Sequence, residues 1–145
     1  MLHPAEILVV EDYEPDAHLL QLLLKRNLVA NKLHVVADGR EALDYVFCRG
    51  DYSARGSERL PGVIILDIRL PKMDGWEVLR QLRLDPLTNN LPVIMVSGLL
   101  LDKEVETAAR LGANACIAKP IQIGALRAKL NQCGFAWMIS ESESV

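Results

Sequence analysis

Val63–Gly75 reads V-I-I-L-D-I-R-L-P-K-M-D-G and decides the fold of the chain. Four consecutive apolar residues, Val63–Leu66, run directly into Asp67 with no alternation of polar and apolar side chains. An unbroken apolar run of this length is typical of a strand buried on both faces, as in a parallel sheet covered by helices. Asp67 would then lie at the carboxyl end of that strand, and open α/β sheets bind ligands at this edge.

Length and composition indicate one globular domain, because 145 residues contain 50% hydrophobic and 24% charged residues. No apolar run approaches the ~20 residues of a membrane span, and the N-terminus lacks the features of a signal peptide. A net charge of -3 without a block of Lys or Arg argues against nucleic-acid binding. Cys48, Cys116 and Cys133 are far apart and read as reduced thiols. We therefore expect a cytoplasmic protein that contacts neither membrane nor DNA.

Short apolar runs alternate with segments of helical periodicity along the whole chain. The five predicted strands are Ile7–Val10, Leu33–Ala37, Val63–Leu66, Val93–Val96 and Asn114–Ala118. A segment with helical spacing of apolar residues follows each of them. This alternation predicts parallel strands joined by right-handed crossovers, and hence an α/β fold with one doubly wound sheet between two layers of helices.

Three segments carry more specific expectations. Arg49–Pro61 is polar and contains glycine, so we expect a long, mobile surface loop. Four small residues are expected to form the inner face of the fourth helix: Val105, Ala108, Ala109 and Gly112. Residues 1–134 are expected to form the domain, and residues 135–145 an extension that begins with the apolar stretch Phe135–Ile139 and ends in a polar tail.

Charged and hydroxyl side chains stand where the predicted strands end. Glu11 and Asp12 follow the first strand, and Asp67 follows the third. Ser97 and Lys119 end the fourth and the fifth. Because parallel strands end at one edge of the sheet, we expect these side chains to share one pocket. Two carboxylates 4 Å apart repel by roughly 4 kcal/mol at an effective dielectric constant of 20, so either one keeps a proton or a cation lies among them.

The expected pocket contains the groups that phosphoryl transfer requires. Carboxylate oxygens next to open solvent suit Mg²⁺, which keeps several of its waters. A carboxylate can attack phosphorus, and a divalent cation and an ammonium group can neutralise the phosphoryl oxygens. A hydroxyl and backbone N–H groups can orient the same oxygens. The pattern therefore predicts that Asp67 is a nucleophile.

Four motifs in order make the chain resemble the receiver domain of response regulators, the phosphoacceptor module of two-component signalling. They are V-V-E-D at 9–12, L-D-I-R-L-P-K-M-D-G at 66–75, V-S-G at 96–98 and A-K-P at 118–120. The resemblance covers roughly residues 7–131 and implies the flavodoxin-like strand order 2-1-3-4-5. It implies that a histidine kinase phosphorylates Asp67. It also implies that Glu11, Asp12 and Asp67 hold Mg²⁺ together with the backbone carbonyl of Arg69.

The resemblance assigns roles to the other strand ends and reveals two departures. Ser97 would bind the phosphoryl group, and Lys119 would form an ion pair with it, next to a cis bond to Pro120. Cys116 stands where receivers commonly carry Tyr or Phe, so we do not expect switching by an aromatic side chain. Leu99 occupies a position that modulates the lifetime of the phosphoryl group in the family. We expect Leu99 to hinder the attacking water and to lengthen that lifetime.

Within the family, the segment A-L-D-Y-V-F-C-R-G-D-Y at 42–52 and the loop that follows it are similar to stand-alone regulators that partner cyanobacterial phytochromes. This similarity implies a light-regulated histidine kinase as phosphodonor and a homodimer. Leu99–Leu101 and Phe135–Ile139 are unusually apolar for the edges of such a fold. We expect self-association through the fourth helix, fifth strand, fifth helix and C-terminal extension, with Trp137 as an anchor. The alternative is that both segments pack on their own domain.

Other classes of protein fit the residues less well. A haloacid-dehalogenase-type phosphatase needs a second acid two residues after its aspartate, where this chain has Arg69. A dinucleotide enzyme needs G-x-G-x-x-G after the first strand, where this chain has E-D-Y-E-P-D. An FMN-binding flavodoxin needs a hydroxyl- and glycine-rich loop at the same place. The remaining alternative is a non-phosphorylated pseudo-receiver that acts as an interaction module, and the complete set of acids and lysine argues against it.

Overall fold

The computed structural model describes residues 5–56, 60–135, 137 and 139 of the chain. Its five strands are β1 (Ile7–Val10), β2 (Leu33–Val36), β3 (Val63–Asp67), β4 (Val93–Ser97) and β5 (Ala115–Ala118). Its five α-helices are α1 (Glu14–Arg26), α2 (Gly39–Val46), α3 (Gly75–Leu84), α4 (Asp102–Leu111) and α5 (Ile123–Gln132). The strands form one parallel sheet in the order β2-β1-β3-β4-β5. The predicted doubly wound sheet and its strand order are confirmed.

The three central strands β1, β3 and β4 are buried along their whole length, as their apolar runs predict. Successive side chains point to opposite faces of the sheet and so enter two separate cores. Leu8, Ile64 and Met95 pack with α2, α3 and α4, whereas Ile65 and Ile94 pack with α1 and α5. Two packed faces fix the carboxyl ends of the central strands relative to one another.

None of the described helices has the length and apolarity to cross a membrane.

Backbone contacts fix the turn that follows β3. The Asp74 carboxylate accepts the backbone N–H of Glu77 at 3.0 Å and so caps α3. The N–H of Gly75 donates to the carbonyl of Ile68 at 2.8 Å. A Cβ atom at position 75 would lie 2.3 Å from the carbonyl oxygen of Asp67. Only glycine fits at the start of α3, because any side chain there would displace the backbone of Asp67.

The loop after α2 packs on the domain over its first part. A 3-10 helix forms at Gly50–Tyr52, and its tyrosine hydroxyl donates to Glu41 at 2.7 Å. The guanidinium carbon of Arg55 lies 3.6 Å from the ring centroid of Tyr45. The prediction of a surface loop over Arg49–Pro61 holds for residues 49–56, most of which are exposed, but the expected absence of regular structure is wrong at Gly50–Tyr52. The polar composition of the segment concealed its aromatic and cationic contacts, and residues 57–59 lie outside the described residues.

The inner face of α4 differs from the prediction. Three of the four small residues expected there are exposed: Val105, Ala109 and Gly112. The buried residues of α4 are Ala108 and Glu104, and Glu104 is 8% exposed. The Glu104 carboxylate accepts the N–H of Leu101 at 3.2 Å and lies 3.9 Å from the guanidinium of Arg69. The prediction considered apolar residues only, whereas a carboxylate with hydrogen-bond partners can also take a buried position.

The first residues after α5 pack on their own domain. Phe135 is 8% exposed and joins the core beneath α1 and α5. Its ring meets the ring of Trp137 edge to face, with centroids 4.9 Å apart. The indole N–H of Trp137 donates to Asn131 at 2.7 Å. Ile139 pairs with Val29 in an isolated antiparallel bridge. The predictions for residues 136, 138 and 140–145, which belong to the apolar stretch and the polar tail, lie outside the described residues.

Candidate functional site

The carboxylates predicted from the strand ends meet at one edge of the sheet. One side-chain oxygen from each of Glu11, Asp12 and Asp67 lies within 4.8 Å of the other two. The ammonium nitrogen of Lys119, which follows β5, lies 2.6 Å from Oδ2 of Asp67. Three carboxylates and one ammonium group therefore share a pocket, as the strand-end argument predicts.

Asp67 is held in a defined orientation at the end of β3. The residue is 7% exposed. Its Oδ1 accepts the backbone N–H of Arg69 at 2.9 Å, and its Oδ2 accepts a hydrogen bond from Lys119 at 2.6 Å. An ionised carboxylate has about four lone-pair directions, so these two bonds orient the group and leave acceptor capacity facing the pocket. The Asp67 side chain is therefore fixed in one orientation, with part of its acceptor capacity open to the pocket.

Lys119 contacts three carboxylates at once. Its Nζ donates to Asp67 at 2.6 Å, to Asp16 at 2.9 Å and to Glu11. An ammonium group has three N–H donors, so each donor has its own carboxylate acceptor. Burial lowers the pKa of Lys119, but the hydrogen bonds to Asp67, Glu11 and Asp16 outweigh it and hold the net pKa above its ordinary value. The group is therefore a permanent cation beside Asp67.

Asp16 is a site residue that the sequence analysis did not single out, because an acid in the first turn of a helix is ordinarily explained by the helix dipole. A signal for it exists in the topology. The helix after β1 begins at the same sheet edge at which the strands end, so an acid in its first turn can face the pocket. The structure shows this outcome, with Asp16 on α1 in contact with Lys119.

Glu11 is a buried acid in an unfavourable environment. It is 7% exposed, and its Oε2 accepts the backbone N–H of Tyr13 at 3.2 Å. Burial raises the pKa of Glu11 to about 7 against the hydrogen bonds from Lys119 and Tyr13, and the charge of Asp67 adds to the rise. A bound divalent cation would relieve this excess of negative charge.

Glu11, Asp12 and Asp67 fit a divalent cation in donor type and in spacing. All three offer carboxylate oxygens, which are the hard ligands that Mg²⁺ takes in proteins. Asp12 is exposed, so water molecules can reach the remaining coordination positions. The fourth predicted ligand is the backbone carbonyl of Arg69. The structure anchors the N–H of Arg69 on Asp67, and the role of its carbonyl stays a prediction.

Ser97 lies at the end of β4, where the sequence placed it, but its hydroxyl closes a turn. The residue is 1% exposed. Its Oγ donates to the carbonyl of Leu99 at 2.9 Å and accepts the N–H of Leu99 at 3.3 Å. Within the described part of the chain, no hydrogen bond joins this hydroxyl to Asp67 or Lys119. The Ser97 hydroxyl must release the carbonyl of Leu99 before it can donate to a group on Asp67.

Three smaller expectations also concern this edge of the sheet. The Lys119–Pro120 peptide bond is cis, as the resemblance implied. Cys116 is half-buried, and burial together with the charge of Glu104 raises the pKa of its thiol. Leu99 is 62% exposed, two residues after Ser97. The β4–α4 turn therefore places an apolar side chain in solvent, close in sequence to the Ser97 hydroxyl.

A cavity of about 260 Å³ extends from the carboxylates along α1. Its polar end is formed by the residues that contact Lys119: Glu11, Asp16 and Asp67. Apolar side chains of the sheet and of α1 line most of the rest, among them Ile65, Val96 and Leu23. Access to Asp67 thus lies next to an apolar surface of α1.

The comparison with known proteins decides the family. The model of the response regulator receiver domain matches residues 7–131. The chain belongs to the response regulator receiver family. The match confirms the resemblance that the four motifs indicated and assigns the chain to two-component signalling.

Individual relatives confirm the similarity to phytochrome-associated regulators. Response regulator Rcp1 of Synechocystis sp. is 33% identical over 116 residues, which cover 80% of this chain and 77% of Rcp1. The bacteriophytochrome response regulator RtBRR is 35% identical with a TM-score of 0.85, over 98% of this chain and 85% of RtBRR. The phosphorylated cyanobacterial phytochrome response regulator RcpA is 30% identical with a TM-score of 0.76, over 92% of this chain and 94% of RcpA. A crystal structure of Rcp1 described as Mn²⁺-bound is 27% identical with a TM-score of 0.75, over 95% of this chain and 100% of that one.

Proposed function

We propose that this receiver domain accepts a phosphoryl group on Asp67 from a sensor histidine kinase, in a reaction that depends on Mg²⁺. One observation supports this most directly. The ammonium group of Lys119 lies 2.6 Å from Asp67, beside the carboxylates of Glu11 and Asp12. A nucleophile, a fixed cation and a set of metal ligands are therefore combined within one pocket.

The chemical step is attack by the Asp67 carboxylate. One carboxylate oxygen forms a P–O bond while the P–N bond to the donor histidine breaks. The imidazole nitrogen keeps the electron pair of that bond and takes up one proton from solvent. The products are an aspartyl phosphate and a neutral histidine. Lys119 neutralises charge on the phosphoryl oxygens because it already touches the attacking carboxylate.

The metal would be held by Glu11, Asp12 and Asp67, with the Arg69 carbonyl as the fourth protein ligand. When bound, Mg²⁺ supplies positive charge that offsets the charge of the phosphoryl oxygens. After Ser97 turns away from the carbonyl of Leu99, its hydroxyl can donate to a phosphoryl oxygen. The chain would then catalyse its own phosphorylation and dephosphorylation and act on no other substrate.

The proposed phosphodonor is a phytochrome histidine kinase in the cytoplasm. RtBRR and RcpA are described as phytochrome response regulators, which supports a phytochrome partner here. Tyr13 and Leu19 are each 59% exposed at α1, next to the pocket, and would offer the kinase an apolar contact surface there. Neither DNA nor a membrane is part of the proposed pathway.

We also propose that two copies associate through α4, β5, α5 and the C-terminal extension, with residues 1–134 as the phosphoacceptor unit. Leu99, Leu101 and Val105 are 62%, 39% and 43% exposed and give this face an apolar character. Phe135 and Trp137 pack on their own domain, so α4 carries more of the proposed interface than the extension does.

Sedimentation velocity tests the proposed dimer. We expect a dimer for the unchanged chain and a monomer for Val105→Asp. The control is Leu84→Asp, which places the same charge at a 70% exposed leucine of α3, outside this face, and should leave the dimer intact. A monomer for the unchanged chain at micromolar concentration contradicts the proposed association.

Phosphorylation by a small phosphodonor tests the main proposal. The chain is incubated with acetyl phosphate and Mg²⁺, and its intact mass is measured. We expect one added phosphoryl group, which EDTA prevents and which Asp67→Asn abolishes. The matched control Asp51→Asn changes an exposed aspartate outside the pocket and should be phosphorylated normally. No adduct, or an adduct that persists in Asp67→Asn, would favour the pseudo-receiver.

A further inference from the structure

The carboxylate of Asp16 reaches across the pocket to Lys119, 103 residues later in the chain. Its Oδ2 lies 2.9 Å from Nζ of Lys119, and the two side chains are 32% and 20% exposed. This distance is typical of a charge-assisted hydrogen bond between an ammonium and a carboxylate. Asp16 therefore connects the first turn of α1 to the residue that follows β5.

The other two acceptors of Lys119 have a second task in the proposed function. Glu11 and Asp67 belong, with Asp12, to the carboxylates whose oxygens lie within 4.8 Å of one another. A metal ion would draw Glu11 toward itself, and phosphorylation converts Asp67 into an acyl phosphate without carboxylate charge. Asp16 stands outside that cluster. It is the acceptor that can keep its bond to Lys119 while the site changes.

The position of Asp16 in a first helical turn has an ordinary explanation, namely stabilisation of the helix dipole. Glu14 lies in the same turn, is exposed and can serve that purpose equally. The bonds of the Asp16 carboxylate point elsewhere. Among the described contacts it bonds to Lys119 and to no backbone N–H of α1. The geometry is that of a side chain aimed at the pocket.

We propose that Asp16 is a positioning residue that holds the Lys119 ammonium against the phosphoryl group accepted by Asp67. The inference rests on the proposed function of Asp67. Lysine is a point charge on a flexible four-carbon stem, so a second anchor on a different element restricts where the charge can lie. A pre-positioned cation stabilises the transition state without reorganisation at the moment of reaction.

The rate of phosphorylation by acetyl phosphate, measured against phosphodonor and Mg²⁺ concentration, tests this role. For Asp16→Ala we expect a maximal rate about tenfold lower, because displacement of a catalytic group by ~1 Å costs up to ~10²-fold. We expect half-saturating Mg²⁺ to stay within about twofold of wild type, since Asp16 is not among the three clustered carboxylates. Asp16→Asn keeps the shape of the side chain and one acceptor oxygen. Its maximal rate should therefore lie between those of wild type and Asp16→Ala.

Glu14→Ala is the matched control because it removes an acid from the same turn without touching Lys119. It should match wild type in maximal rate. If Asp16→Ala does not fold, the near-isosteric Asp16→Asn carries the test. A maximal rate for both Asp16 variants that equals or exceeds that of Glu14→Ala overturns the inference.

A double-mutant cycle with Lys119→Ala separates positioning from a structural effect. If Asp16 acts through Lys119, Asp16→Ala should change the residual rate by less than about twofold in the Lys119→Ala background. A further tenfold loss in that background overturns the inference, because Asp16 would then act independently. If the wild-type chain itself forms no phosphoryl adduct on Asp67, the proposed function is overturned instead. The two failures are therefore distinguishable.

Discussion

Replacement of Gly75 by alanine should damage the phosphoacceptor site through the backbone alone. The added Cβ would lie 2.3 Å from the carbonyl oxygen of Asp67 and 2.9 Å from Cα of Ile68. Non-bonded carbon and oxygen atoms approach to about 3.3 Å, so the backbone at Asp67 must move by roughly 1 Å. Overpacking of this kind costs ~1–3 kcal/mol, partly offset by the ~1 kcal/mol that alanine gains over glycine in a helix. We expect a net loss of up to about 2 kcal/mol in the free energy of unfolding.

The same displacement should lower the rate of phosphorylation more than it lowers stability. Misplacement of a reacting group by ~1 Å costs up to ~10²-fold in rate, and Asp67 is that group. Urea unfolding gives the stability, and intact mass after timed exposure to acetyl phosphate and Mg²⁺ gives the rate. The control is Gly124→Ala at an exposed position of α5, where an added Cβ meets nothing within 4 Å. Wild-type stability and rate for Gly75→Ala would refute the reasoning.

Three further predictions concern Leu99, Asp12 and Asp38. Leu99→Glu should speed loss of the phosphoryl group, because a carboxylate can orient water where leucine cannot, and an equal or slower rate contradicts this. Asp12→Asn should weaken Mg²⁺ binding by more than about tenfold, as even outer-shell changes do, and unchanged affinity in a titration contradicts the ligand assignment. Asp38 caps α2 by accepting the N–H of Glu41 at 2.8 Å, and this bond, with Lys72, lowers the pKa of Asp38 despite burial. The ionised Asp38 therefore stabilises the fold fully above pH ~3.9, the ordinary pKa of an aspartate in the unfolded chain. This stabilisation is lost as the pH falls through the lowered pKa of Asp38 in the folded state. Asp38→Ala should cost about 1 kcal/mol at pH 7 and less at pH 3 in urea unfolding, whereas an equal cost at both contradicts the assignment.

The fold and the core of the site could be read from the sequence because both depend on strand ends. The apolar run before Asp67 is buried on both faces, as expected for a central strand. Parallel strands end at one edge whatever their side chains are. The strand topology alone therefore places Glu11, Asp12, Asp67 and Lys119 close together, whatever the conformation of the loops.

Residues whose placement depends on side-chain orientation were not predictable in the same way. Asp16 and Glu104 lie on helices, where an acid can face solvent or pocket, and only packing decides between them. The Ser97 hydroxyl bonds to Leu99 within its own turn, which no spacing of residues indicates. Tyr45 orders part of a polar loop through an edge-to-face contact with Tyr52 and a cation–π contact with Arg55. These contacts depend on the conformations of individual side chains, so the periodicity of apolar residues does not report them.

The site of modification tests the central claim most directly. The chain is phosphorylated by acetyl phosphate in Mg²⁺ and reduced with borohydride, which converts an aspartyl phosphate to homoserine. Peptide mass spectrometry then locates the converted residue. We predict homoserine at position 67 and unmodified aspartate at position 12 and at position 16. Homoserine at another position, or at none, would contradict the role of Asp67 as the phosphoacceptor.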